Sequence, residues 1–296
     1  MSRFVDPKVL MAIRDLQLAA KTLIDGFMSG INKSNLKGSG IEFSQYRSYQ
    51  AGDDLRWLDW KMYGRSDRYY IRQSEIETSI SVKFILDASG SMNHQDSNGI
   101  KKIDYARYLI ACLGGLAHLQ HDATGLHVLS GGEFFTLAAK RDHQFMARFY
   151  YELEKVKAEG SFSRTVQYKQ LLEREDKKTL VIFVTDLYQP SNEILSFIDL
   201  LASLKHEIIV FHLMGKNELE LDYGNHSTLE DLETGRRLNI NLTAAKKVYA
   251  QKLQAYLAGL RMQLLNRHIF YRLITTDQPL DKALTDFLNQ RNKLTA

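Results

Sequence analysis

The stretch SVKFILDASGSM, from Ser81 to Met92, has the pattern of a buried β-strand that ends on an aspartate and two serines, Asp87-x-Ser89-x-Ser91. Val82, Phe84 and Leu86 alternate along it and Ile85 thickens its end, as in a strand inside a parallel sheet. Ala88, Gly90 and the serines do not prolong such a strand, so the chain turns after Asp87. One carboxylate and two hydroxyls converging on a turn make a small pocket of hard oxygens. That chemistry suits Mg²⁺, which takes octahedral oxygen ligands and keeps several waters. Taken alone, the same pattern fits a serine-rich turn with a capping aspartate equally well.

The 296 residues are enough for one large domain or two, each with a full core. A net charge of +4 is small for this length, and Lys and Arg are interspersed with Asp and Glu, which does not point to nucleic acid. The single cysteine, Cys112, lies in an apolar helical stretch and reads as a small buried hydrophobe. The N-terminal residues have no long apolar core and no cleavage-like site, and no stretch approaches 18 uncharged apolar residues. A cytoplasmic protein without a membrane span is the expectation.

Pro7 to Met28 has the spacing of one amphipathic helix, with Asp6 as N-cap and Pro7 at the first position, its apolar side docked on the body of the protein. Residues 41–77 differ from the rest. Aromatics alternate with charges, both tryptophans, Trp57 and Trp60, fall here, and strand patterns appear at Tyr46 to Tyr49 and Tyr69 to Gln73. Gly52-Asp53-Asp54 marks a turn. The acids that match Arg47, Arg56, Arg65, Arg68 and Arg72 favour a salt-bridged β-rich head and would repel the phosphates of single-stranded nucleic acid. The same mixture of aromatics and arginines also suits a docking surface, for which Arg47, Asp53, Asp54, Arg56, Trp60 and Arg65 are the candidate residues.

From residue 78 strands and helices alternate. Strands are expected at 79–86, 123–129, 133–137, 178–185, 207–213 and 268–274. Helices are expected at 100–120, 142–158, 166–174, 192–204, 243–266 and 280–292. A polar hairpin insertion falls within 218–242, around Glu233-Thr234-Gly235. Thr243 is the expected cap of the long helix, with Val248, Tyr249, Leu253, Tyr256, Leu257, Leu260 and Leu264 as its buried stripe. This is an α/β, doubly wound, mostly parallel sheet covered on both faces, preceded by an N-terminal helix and a small β-rich head. The expected division is 1–77 and 78–296. Such sheets bind ligands beyond the carboxyl ends of their strands. Asp87 ends one strand and Asp186 ends another of the same character.

The ordered set Asp87, Ser89, Ser91, Thr165 and Asp186 resembles the metal-ion-dependent adhesion site of a von Willebrand factor A domain, and the order of elements from Ser79 to Asn292 resembles that fold. Thr165 shares its loop with Ser161 and Ser163, either of which could take its place. The resemblance implies a site for Mg²⁺ or Mn²⁺. Neutral hydroxyl ligands would leave the ion electrophilic and able to bind an acidic side chain of a partner. The preceding segment, GSGIEFSQYRSYQAGDDLRWLDWKMYGR, is similar to the bacterial family called domain of unknown function 58 at Gly40, Glu42, Phe43, Arg47, Tyr49, Gly52, Asp53, Asp54, Arg56, Asp59, Trp60 and Arg65. Gly64 departs from the alanine usual there. This resemblance implies a non-enzymatic, metal-dependent adaptor or chaperone component beside a MoxR-type AAA+ ATPase, with other von Willebrand factor A proteins as further candidate partners. The alternative is a metal-dependent phosphatase or hydrolase using Asp87. That chemistry wants a second aspartate where this chain has Ser89. No GxxxxGK[ST] loop is present, so the chain is not a P-loop ATPase. His118 and His121, three apart near a helix end, suit favourable placement at the helix C-terminus better than a metal pair.

Overall fold

Successive residues of a strand leave the backbone in opposite directions, and both directions are apolar in Ser81–Asp87, which is buried at all seven positions. That requires cover on both faces of the sheet. A computed structural model of the chain describes residues 6–33, 45–50, 58, 60–73, 79–131, 133–162, 179–189, 191–204, 206–224 and 228–295. The chain begins with helices α1 (Pro7–Ala12) and α2 (Leu16–Lys33), followed by strand β1 (Gln45–Ser48), helix α3 (Trp60–Ser66) and strand β2 (Tyr70–Gln73). The main succession is β3 (Ser81–Asp87), α4 (Lys102–Leu119), β4 (Ala123–Ser130), β5 (Glu133–Lys140), α5 (His143–Lys155), β6 (Thr179–Thr185), α6 (Glu193–Ser203) and β7 (Glu207–Met214). The rest is α7 (Lys216–Glu220), β8 (Thr228–Glu230), β9 (Arg237–Asn239), α8 (Leu242–Asn266), β10 (Phe270–Thr275) and α9 (Asp281–Thr295). The helix expected at 166–174 lies outside the described residues.

Six strands form one sheet in the order β10-β7-β6-β3-β4-β5, with only the β4–β5 pairing antiparallel. Val82, Phe84 and Leu86 face a core completed by α1, α2, α4, α5 and α9, whereas Ile85, Phe183 and Val210 face a second core completed by α6 and the C-terminal end of α8. The result is a three-layer, doubly wound sheet. The chain runs from β3 outward through β4 and β5, then resumes on the other side at β6. Parallel connections of this kind leave a crevice at the carboxyl ends of β3 and β6, where the winding reverses.

Packing places residues 1–35 with 80–296 in one compact unit and residues 36–79 in another. The N-terminal helices therefore group with the sheet domain, not with the head as the expected division at 77 had them. Leu16, Ala19, Ala20, Leu23 and Ile24 of α2 lie in the core that contains α4. The expected single helix is broken after Ala12. Ile13 is extended, and Asp15 accepts a hydrogen bond from the N–H of Leu18, capping the second helix. Asp6 caps α1 through the N–H of Lys8, with Pro7 in the first turn. Within the smaller unit β1 and β2 pair antiparallel, Gln45 opposite Gln73 and Ser48 opposite Tyr70. Tyr63 stacks on Tyr69 at 4.6 Å, with Tyr49 edge-on to Tyr69 and Trp60 edge-on to Tyr63.

Helix α8 ends at Asn266 as expected but differs from expectation at its cap and along its stripe. Asn241, not Thr243, is its cap, accepting from the N–H of Ala244. Of the expected stripe, Leu260 and Leu264 are buried, but Val248 and Tyr256 are exposed. A helix of 25 residues is roughly 38 Å long and outruns strands of six to eight residues, which span about 20–27 Å, so one end extends past the sheet.

Helix α4 is buried on almost every side, and glycine makes room for its neighbours. A Cβ on Gly114 would lie 2.7 Å from a ring carbon of Phe149, and one on Gly115 would lie 2.7 Å from the Tyr150 hydroxyl and 2.8 Å from Ile24. Gly114→Ala is therefore expected to destabilise the fold by about 1–2 kcal/mol, overpacking outweighing the better helix propensity of alanine. Urea unfolding of the variant checks this. An unchanged or raised midpoint would show that α5 yields at no cost.

Candidate metal centre

Asp87 stands at the end of β3, and residue 185 of β6 follows Val184, the partner of Leu86, so the two strand ends lie side by side. Asp87 is completely buried. One carboxylate oxygen accepts from the N–H of Ser89 at 3.0 Å and the other from the Thr185 hydroxyl at 2.7 Å. The hydroxyls of Ser89 and Ser91 are 3.1 Å apart, and both serines are buried. The turn is held by backbone bonds from Ala88 N–H to Leu129 O and from Gly90 N–H to Gly160 O. Burial drives the Asp87 pKa up to about 6, and the nearby Asp186 charge adds to it against the lowering effect of the Thr185 and Ser89 hydrogen bonds.

Asp186 follows β6 and lies beside Asp87, as expected from the two strand patterns. Its electrostatic partner was not anticipated. The Lys102 ammonium, at the first position of α4, donates to Asp186 at 2.6 Å and to Glu218 of α7 at 3.0 Å. Burial raises the Asp186 pKa, but Lys102 outweighs it and the carboxyl is held below its ordinary value, helped by the N–H of Tyr188. Asp186 is thus ionised and largely satisfied by the protein, and Asp87 is the more available carboxylate. Lys102 is one of several charges at its helix start, beside Lys101 and Asp104, and Thr185 reads as an ordinary last strand residue. Neither has a sequence signal beyond its nearness to the motif.

The polar insertion also contributes. Strands β8 and β9 pair as the expected hairpin, Glu230 opposite Arg237, and its turn lies against the motif. A Cβ on Gly90 would be 2.8 Å from the Leu232 carbonyl oxygen, so only glycine admits this approach. Both carboxylate oxygens of Glu233 are buried without a hydrogen-bond partner of good geometry among the described residues. Burial drives the Glu233 pKa up to about 7. The Asp186 and Asp87 charges add to this, and the nearby Ser91 and Ser89 hydroxyls oppose it. The short α7, preceding the hairpin, was not anticipated.

Of the other candidates, Thr165 and Ser163 lie outside the described residues, and Ser161 is exposed. Asp53, Asp54 and Arg56 also lie outside them, Arg47 is described only as part of β1, and Trp60 and Arg65 are exposed on α3. Among the described residues no three His, Cys, Asp or Glu side chains form a group able to hold a metal ion. A bound ion would therefore draw on the serine hydroxyls and on water. The donor set of Asp87, Ser89 and Ser91, hard oxygens with a net negative surrounding, fits Mg²⁺ or Mn²⁺. Asp186, engaged by Lys102, fits a supporting place through water or the Ser91 hydroxyl.

A doubly wound α/β sheet with a buried oxygen pocket at its winding reversal is the architecture that the resemblance to von Willebrand factor A domains implies. The chain belongs to the family described as "Protein of unknown function DUF58", whose profile matches residues 45–256. Uncharacterized proteins of Mycobacterium tuberculosis and Mycobacterium bovis are 25% identical to it over 233 residues, which is 78% of this chain and 73% of theirs. Among solved structures it is similar to the conserved hypothetical protein BatB from Bacteroides thetaiotaomicron, at 16% identity and a TM-score of 0.49 over 73% of this chain and 98% of that one. It is also similar to the SpRpn10 VWA domain, at 12% identity and a TM-score of 0.41 over 71% and 95% of the two chains. Likenesses this loose carry no property of those proteins over to this one. No helix among the described residues is long and apolar enough to cross a membrane.

The Asp87 pKa of about 6 lies above the roughly 4 of an unfolded chain. Without metal, the folded state holds this proton more tightly. Its contribution to stability is fully present below about pH 4 and is lost as the pH rises through about 6. Buried His212, held neutral with a pKa lowered to about 4, acts in the opposite sense over the same window, so the comparison must be between variants. Asp87→Asn is expected to stabilise the metal-free protein by about 1–3 kcal/mol near pH 7.5, with the difference vanishing near pH 4. Denaturant midpoints for both proteins in chelator across this range check it. A pH-independent difference would show that Asp87 is not desolvated.

Proposed function

We propose that this chain is a non-enzymatic protein-binding module that holds Mg²⁺ or Mn²⁺ at the strand ends and uses the ion to bind an acidic side chain of a partner. The observation that carries it is the Asp87 carboxylate, completely buried beside the Ser89 and Ser91 hydroxyls with no cation hydrogen-bonded to it among the described residues. A buried carboxylate in that state costs several kcal/mol unless a counter-charge arrives, which a divalent ion supplies. Asp87, Ser89 and Ser91 would hold the ion. Asp186 would support it, with Thr165 as the further hydroxyl that the family resemblance implies.

The serines support binding over catalysis. Their hydroxyls lie 3.1 Å apart in a pocket of hard oxygens suited to an ion, and the Lys102 ammonium is committed to Asp186 and Glu218. An activated nucleophile needs a placed base or a lowered pKa, and Asp87 has a raised one. Family resemblance adds a MoxR-type AAA+ ATPase as the partner, and the reading places the two together in the cytoplasm. In this reading the Trp/Arg-rich unit, with Trp60 and Arg65 exposed, is an additional contact surface.

Calorimetric titration of Mn²⁺ and Mg²⁺ into wild type and Asp87→Ala, alone and with the ATPase present, tests the proposal. Wild type is expected to bind one ion, the variant to lose at least a hundredfold in affinity, and the ATPase complex to weaken in parallel. Absence of ion binding by well-folded wild type would sink the metal reading.

A further inference from the structure

The β8–β9 hairpin is built into the strand-end pocket and does not merely lie near it. Its turn is stiff. Asp231 accepts hydrogen bonds from the N–H groups of Glu233 and Thr234, and its own N–H bonds the Arg236 carbonyl. The other Asp231 oxygen accepts from the Tyr188 hydroxyl at 2.8 Å, and the N–H of Tyr188 donates to Asp186. The same two-residue step therefore ties the hairpin to the site. Leu232 lies against Gly90 so closely that its carbonyl excludes any larger residue there. Glu233, next in the chain, presents a carboxylate whose two oxygens are buried, without a hydrogen-bond partner of good geometry among the described residues, and close to the hydroxyls of Ser89 and Ser91.

A solvated turn has no need to aim a carboxylate inward. An acidic side chain directed by a rigid turn at a pocket of two hydroxyls and a carboxylate is unfavourable unless a cation lies between them. We propose that Glu233 is an internal ligand of the strand-end metal ion. It takes the coordination position that a partner's acidic side chain would otherwise fill, so that the hairpin competes with the partner for the ion. This rests on the metal reading of Asp87, Ser89 and Ser91 and goes beyond it by naming the occupant of the exchangeable position. A partner's carboxylate reaches the ion only when the turn at 231–236 moves away, and the Tyr188–Asp231 bond opposes that movement.

The test uses Mn²⁺ as the ion and glutarate as the carboxylate probe, with water-proton relaxation reporting the waters bound directly to Mn²⁺. Wild type, Asp87→Ala, Glu233→Gln and Tyr188→Phe are compared, and circular dichroism verifies that each is folded. Wild type is expected to bind Mn²⁺ with dependence on Asp87, and its relaxation enhancement is expected to ignore glutarate. Glu233→Gln is expected to bind Mn²⁺ at least ~10-fold more weakly. Its bound ion should show the higher enhancement of one additional water, which glutarate then removes. Tyr188→Phe should keep Glu233 but become sensitive to glutarate, which separates hairpin release from loss of the carboxylate. If wild type binds Mn²⁺ through Asp87 while Glu233→Gln matches it in affinity, enhancement and glutarate response, the internal-ligand inference is overturned and the metal reading stands. If wild type binds no Mn²⁺, both are overturned.

Discussion

The constraint on which this structure depends is the placing of carboxylates out of water at the ends of parallel strands. Asp87 has no exposed surface and Asp186 little, and removal of two adjacent anions from solvent is among the costliest arrangements a fold can contain. The chain meets it differently on the two sides. Asp186 is given a buried ammonium, Lys102, which is shared with Glu218 and so joins α4 to α7 across the site. Asp87 is given a backbone N–H and neutral hydroxyls, with no cation bonded to it among the described residues. One half of the pocket is closed electrostatically by the protein itself, and the other half is left short of positive charge. That asymmetry separates a permanent structural ion pair from a place where chemistry with the surroundings can occur.

The sheet makes the asymmetry possible. Because β3 lies between β4 and β6, its carboxyl end is flanked by the ends of two parallel neighbours, and each contributes to the site. Leu129 of β4 holds the turn after Asp87 through its carbonyl, and β6 supplies Thr185 and Asp186. Helix α4 then reaches over the rim from one face with Lys102, and the segment after β7 reaches it with Glu218 and the hairpin. The insertion belongs to the site as much as to the surface, since the same backbone that forms its turn packs on Gly90.

The sheet domain was largely legible in the sequence because its signals are local. Runs such as Thr179–Thr185 and Glu207–Met214 are nearly continuous apolar stretches, and an aspartate directly after such a run falls on the carboxyl rim of the sheet whatever the tertiary details. The residues that escaped notice act over long sequence separations or carry no pattern. Lys102 meets Glu218 across 116 positions, and Glu233 meets the serines from a polar turn that resembles any other. Capping was read one notch out where two candidate residues stood close together. Thr243 and Asn241 are both capping types, and only the direction of the chain into α8 selects Asn241. The break between α1 and α2 has neither proline nor glycine to announce it. It is set by Asp15 and by the bond from the N–H of Leu16 to Glu154, a residue far along the chain.

The position of α2 has a consequence for synthesis. Its apolar side is covered by α4 and α5, yet roughly 70 residues separate the end of α2 from the start of α4. At about 5–20 residues per second, the helix leaves the ribosome several seconds before the first of these partners exists. During that interval its sticky side is tempered by Ala19 and Ala20, two residues near its start that are completely buried in the finished protein. The small side chains that allow tight packing at the end also keep the nascent helix from presenting an unbroken greasy stripe at the beginning.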